Sequence, residues 1–285
     1  MTSTEPPRRK QPRVFGIHAR PGTALRWMLT ALPFIAVIAV YLVASDIRHS
    51  RNPNDKLLPT VTQMGAAVDR MAFTEDKRTG KYLMARDTIV SLKRLVTGIV
   101  LAGIVGLVLG LNIGLFPGMN VTLNPFVTFI SMIPPLSILP ILFITFGMEE
   151  LAKVMLIFIG IFPLVTRDIL LAVRKLPKEQ ITKALTLGAS QLELVYRIVL
   201  PQILPRLLEA IRLSLGAAWL FLIAAEAISA NEGLGYRIFL VRRYLAMDVI
   251  LPYVLWITLL GFLIDFTLRK VLQYGFPWYT AKGKR

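Results

Sequence analysis

Few side chains in this 285-residue chain are placed to do chemistry, and none is placed to break a covalent bond. There is no cysteine, which excludes disulfides, thiolate metal sites and cysteine nucleophiles. The two histidines, His18 and His49, lie outside the apolar runs, so a histidine-rich metal site is excluded as well. No Ser-His-Asp set and no carboxylate pair is spaced for acid–base work. No G-x-x-x-x-G-K-[ST] loop occurs, so the chain brings no nucleotide cradle of its own. What remains are isolated polar groups within apolar stretches: Ser131, Ser137, Ser214 and Glu226. A carboxylate at membrane depth is costly and marks a functional candidate, here near an outer mouth; the competing reading of Glu226 is a hydrated interfacial acid.

The elements that hold these groups follow from composition. The chain is 55% hydrophobic, with a mean hydropathy of +0.61, and its apolar residues come in runs. A bilayer-spanning helix needs about 20 such residues. Six stretches qualify, at about 27–45, 95–115, 123–146, 151–173, 207–228 and 249–266, and they predict an all-α integral membrane protein. The net charge of +16 is better explained by cytoplasmic loops rich in Lys and Arg than by nucleic-acid binding. Residues 1–26 read as a disordered basic tail with Arg8, Arg9, Lys10, Arg13 and Arg20 against Glu5. The first span, 27–45, lacks a cleavage-type ending and reads as retained. Residues 46–94 balance their charges and read as an external segment, with a Thr60-capped amphipathic helix and Asp87-Thr88 capping the next span. Residues 95–275 form a core of five spans, and 276–285 a second basic tail, so both termini are expected in the cytoplasm.

Within the core, Gly106, Gly110 and Gly114 form a flat stripe for close helix packing, within one bundle or across a dimer. Pro134, Pro135 and Pro140 break the third span near the midplane, flanked by Ser131 and Ser137. A break there fits a translocation path or a packing kink. Arg167-Asp168, near the inner end of the fourth span, reads as snorkelling, with a buried pair as the alternative. Residues 229–248 read as an external loop and interfacial helix, with Gly233 and Gly235 supplying backbone freedom.

The stretch 174–206 stands apart. It is polar and basic, with six bases against two acids, between two runs that would each cross a bilayer. Ile181–Leu187 predicts a short helix, Gly188 a sharp turn, Ser190 the cap of a second helix through Val199, and Pro201 with Pro205 its end. An ordered cytoplasmic hairpin of this kind suits docking to a soluble partner.

Residues 182–201 resemble the EAA motif of ABC-importer permeases. Ala184 matches its second alanine, Gly188 its glycine, and Ile198, Leu200 and Pro201 its ending, while Thr182 and Lys183 replace the usual Glu and first Ala. Further matches resemble the nitrate, sulfonate and taurine branch. They are Leu58-Pro59-Thr60, the helix start at Ser91, Ile133-Pro134-Pro135, Leu139-Pro140-Ile141, Ala224-Ala225-Glu226 and Gly233-Leu234-Gly235-Tyr236. The loop from Gly233 to Tyr244 is similar to permeases of urea-carboxylase-type gene clusters. The resemblance implies a type I, MetI-like permease fold of six transmembrane helices in the cell inner membrane. It also implies a homodimer or pseudo-dimer, ABC ATPase subunits docked on Thr182, Lys183, Ala184, Leu185, Leu187 and Gly188, a solute-binding protein outside, and no cofactor. A stand-alone carrier or channel, or an integral-membrane enzyme, are the alternatives.

Overall fold

The computed structural model describes residues 22–53, 55–76 and 80–282. Of the expected basic and polar residues, those at 1–21, Lys77, Arg78, Lys284 and Arg285 lie outside the described residues. The described residues form helices and contain no strand. In chain order these are α1 (Thr23–Arg51), α2 (Val61–Val68), α3 (Leu83–Leu115), α4 (Pro117–Met132), α5 (Leu139–Phe146) and α6 (Glu150–Arg174). They continue with α7 (Lys178–Thr186), α8 (Gln191–Glu193), α9 (Leu200–Ser229), α10 (Leu234–Arg242), α11 (Met247–Gly275) and α12 (Pro277–Lys282). Five helices are long and apolar enough to cross a membrane, or six if the bent pair α4–α5 is one span. That agrees with the six stretches read from hydropathy, although every helix runs past its apolar core.

The chain divides into residues 1–63 and 64–285. In the first unit, Ser45 is the one buried residue of α1, whose apolar side chains otherwise stand exposed, as on a lipid-facing span. The end of α1 holds the chain that follows it. Tyr41 donates to the Pro59 carbonyl at 2.6 Å, Ser45 to that of Leu58 at 3.0 Å, and Arg48 Nε to Asp55 Oδ2 at 2.5 Å. With Arg48 against it, the Asp55 carboxyl sits below the usual carboxylate range. Thr60 and Gln63 then cap α2 reciprocally, Gln63 N–H to Thr60 Oγ1 and Thr60 N–H to Gln63 Oε1, as expected for a Thr60-capped helix.

The second unit is built on α3 and α6. A Cβ placed on Gly98, Gly106, Gly110 or Gly114 would come within 2.6 to 2.7 Å of Ile157, Val165, Ile169 or Val173 respectively. Real side chains do not approach so closely, so these four positions admit only glycine. Both sets of positions rise together, so α3 and α6 run parallel in one register. The glycine stripe therefore packs within the chain. Around this pair, Leu95, Ala102, Leu156, Ile161, Ala218, Leu222 and Ala225 are fully buried and tie α9 to it.

The third span is broken where the prolines predicted. Helix α4 ends at Met132, a 3₁₀ turn covers Pro135–Ile138, and α5 departs at 84°. Asp87 and Thr88 are not a cap, because α3 starts four residues earlier and both lie inside it, buried. Gly110→Ala should therefore lower Tm in detergent, with a cost of about 1–3 kcal/mol from overpacking. Gly216→Ala, with nothing within 4 Å of the new Cβ in α9, should hold or raise it.

Candidate functional site: the polar hairpin and the polar groups of the spans

The hairpin begins where α6 ends and is closed by local chemistry. Helix α7 stops in a paired backbone turn: Gly188 N–H donates to the Leu185 carbonyl at 3.0 Å, and Ala189 N–H to that of Ala184 at 3.1 Å. This Schellman pattern requires a left-handed residue after the helix, and Gly188 has φ of +86°. Ala184 is buried beneath the turn, which accounts for a small residue there. Ser190 then caps the next helical turn as expected. Its Oγ accepts from Glu193 N–H at 3.3 Å, and Glu193 Oε2 accepts from Ser190 N–H at 3.0 Å. The acid of that box was legible as S-x-x-E.

After α8 the chain passes through a π-helical turn, Leu194–Val199, and enters α9 without a break. The expected stop at Pro201 and Pro205 is therefore corrected. Pro201 lies in the first turn of α9, where a missing N–H costs little, and Pro205 is accommodated inside the helix. Of the motif's ending, Ile198 and Leu200 are half-buried and Pro201 is exposed. Thr182 and Lys183 are exposed on α7, and the Thr182 hydroxyl is spent on the Lys178 carbonyl. Leu185, Leu187, Leu192 and Tyr196 project outward with 47, 79, 69 and 63% exposure.

An ion pair joins the roots of the hairpin. Arg206 Nη2 of α9 donates to Asp168 Oδ1 of α6 at 2.5 Å, and Nη1 to Glu209 Oε2 at 3.0 Å. Tyr279 Oη donates to the same Glu209 oxygen at 2.6 Å. Asp168 thus pairs across helices and not with its neighbour Arg167, an arrangement that adjacency in sequence did not show.

Glu226 is neither hydrated nor isolated. Its carboxylate is fully buried at the opposite end of the bundle. It accepts from Ser91 Oγ at 2.7 Å, Arg94 Nη1 at 2.8 Å and Gly235 N–H at 2.8 Å. Arg94 also holds Glu150 through Nε at 2.6 Å and Nη2 at 2.5 Å. Beside it, Asp87 accepts from Gly233 N–H at 3.0 Å, Arg237 Nε at 2.8 Å and Tyr253 Oη at 3.2 Å. Gly233 has φ of +128°, and a Cβ there would strike the Glu226 carboxyl carbon at 2.6 Å. The cluster ties α3, α6, α9, α10 and α11 together. The sequence signal was the row Asp87, Ser91, Arg94, at i, i+4 and i+7 on one helix face.

The other polar candidates are dispersed. Ser214 is buried, its hydroxyl donating to the Ala210 carbonyl at 2.9 Å. Ser131 and Ser137 are exposed on either side of the break and donate to Thr128 and Pro134 carbonyls, both at 2.7 Å. Pro134 is exposed and Pro135 half-buried.

Residues 98–273 match the family of binding-protein-dependent transport system inner membrane components. The chain belongs to that family. It is the permease component of an ABC transporter. The taurine transport system permease protein TauC of Escherichia coli is 35% identical over 157 residues, 55% of this chain and 57% of TauC. The match thus spans little more than half of that relative. SsuC of Escherichia coli, named for aliphatic sulfonates transport, is 28% identical over 90% of this chain and 95% of its own length. In fold, the chain is similar to the inward-facing MetNI methionine ABC transporter. That match has a TM-score of 0.59 and 19% identity, over 68% of this chain and 96% of that one. The architecture is the type I importer fold.

Two variants separate the roles of the two polar centres. Arg94→Ala leaves the Glu226 charge buried without its guanidinium and should cost about 3–5 kcal/mol, read as a fall in Tm of the purified permease. Gly188→Ala should cost about 1–2 kcal/mol of local stability with no clash, and Gly188→Asn less. Amide exchange of residues 184–189 should show that order with global Tm unchanged.

Proposed function

We propose that this permease forms the pore of an ATP-driven importer, and that its hairpin couples the pore to a separate ATPase subunit. The observation that carries this reading is the hairpin itself. It is closed at both turns by its own hydrogen bonds, yet presents Leu185, Leu187, Leu192 and Tyr196 outward. Apolar side chains held on an ordered polar element mark a contact surface. Thr182 and Lys183 stand beside them at the positions where the motif has Glu and Ala. The pore side groups of this reading are Ser131, Pro134, Pro135 and Ser137 along the broken span, with Ser214. Glu226 serves the scaffold at the other end.

In this reading two copies of the permease, or two related ones, line the path. A solute-binding protein delivers the solute from outside the inner membrane, and both termini face the cytoplasm. The solute is small: nitrate, a sulfonate such as taurine, or a urea- or guanidine-like nitrogen compound. Relatives named for taurine and aliphatic sulfonates support the second of these.

The test is reconstitution with a candidate ABC ATPase and a candidate solute-binding protein. Uptake should require ATP, and Leu187→Asp should abolish co-purification with the ATPase while leaving Tm unchanged. Uptake by the permease alone in ATP-free vesicles would overturn the proposal in favour of a stand-alone carrier.

A further inference from the structure

We infer that the face shared by α4 and α6 is an anion-selecting lane of the translocation path, with Arg167 and Arg174 as its charged residues. This rests on the proposed transport function and deepens it, because it assigns the solute to small anions. A cavity of 190 Å³ lies between the two helices. At about 30 Å³ per molecule, that is room for several waters or one small oxyanion.

Polar side chains share the walls with Val127, Pro163, Leu170 and Leu171. On α4, Asn124, Thr128 and Ser131 line the cavity at i, i+4 and i+7, one helix face. On α6, Thr166, Arg167 and Arg174 line it. The helices run antiparallel here: Arg174 Nη2 donates to Oδ1 of Asn120, near the start of α4, at 2.9 Å. Arg167 lies two turns further up α6, about 10 Å away, towards Ser131 and the proline break. The lane therefore leads from the hairpin end of the bundle to the interrupted span.

Its charge is unbalanced. No acid lines the cavity, and among the described residues Arg167 makes no hydrogen bond or ion pair. Three other arginines of the spans are matched by acids: Arg94 by Glu150 and Glu226, Arg206 by Asp168, Arg212 by Asp265. Asp168, the nearest acid in sequence, is committed to Arg206. An exposed, unmatched guanidinium two turns inside the end of a spanning helix draws water or an anion opposite it. The same field repels cations, so guanidine-like solutes are disfavoured and sulfonates or inorganic oxyanions favoured.

The absence of cysteine gives a direct test, since Ser131→Cys would carry the chain's only thiol. The full-length variant in membrane vesicles would be labelled with anionic 2-sulfonatoethyl and cationic 2-(trimethylammonio)ethyl methanethiosulfonate. Each rate would be normalised to that with a free thiol. The anionic reagent should react at least about tenfold faster. Adding Arg167→Gln should remove most of that preference, and Arg167→Lys should restore it. Equal rates, a preference unchanged by Arg167→Gln, or a thiol that neither reagent reaches would overturn the inference. Thr128→Cys, read in the same way, replaces Ser131→Cys if that variant fails to insert. Labelling needs neither ATP nor a partner, so its failure is distinct from a failure of ATP-dependent uptake, which bears on the proposed function.

Discussion

The parallel contact of α3 with α6 is the constraint on which the second unit depends. Glycines at four positions bring the two backbones together against Ile157, Val165, Ile169 and Val173. Without side chains in the way, dispersion between the helices acts at its shortest range, which matters where lipid offers no hydrophobic drive. The same register brings Arg94 to Glu150 at one end. At the other end it sets the level at which α6 presents Asp168 to Arg206. Helix α9 then closes the group through Ala218, Leu222 and Ala225.

Polar groups in this setting are handled in two ways. The cluster of Asp87, Arg94, Glu150, Lys153, Glu226 and Arg237 is matched charge for charge and supplemented by backbone N–H groups. Such a cluster contributes geometry more than net stability, because desolvation offsets much of the attraction. It fixes the loop before α10 by placing Gly233 and Gly235 against Glu226, where no Cβ would fit. Around α4 and the lower half of α6, by contrast, charge and hydroxyls are left open to a cavity.

Much of this was legible in the residues. Runs of apolar residues gave the spans, the paired prolines gave the bend, and Gly188 with Ser190 gave the hairpin's two turns. The misreadings share a cause. Asp87-Thr88 resembled a cap, Pro201 a stop, and the hydrated interfacial acid was one of two readings of Glu226, because each was judged by its sequence neighbours. Their partners are remote: Asp87 meets Arg237 and Tyr253, and Glu226 meets Ser91 and Arg94. The contact between Asp168 and Arg206 spans the whole hairpin, and no local pattern encodes it. Pro201 was misjudged because a proline that ends one helix and a proline in the first turn of the next look alike in sequence.

The closed turns of the hairpin have a mechanical consequence. Because Ala184–Ala189 and Ser190–Glu193 satisfy their own backbone groups, the element is stiff without help from a partner. A load on Leu187 would not be absorbed by bending at the tip. It would pass to the roots, where the Asp168–Arg206 clasp links α6 directly to α9. The hairpin would then act as a short lever with its fulcrum at that ion pair, and its displacement would reach both helices at once.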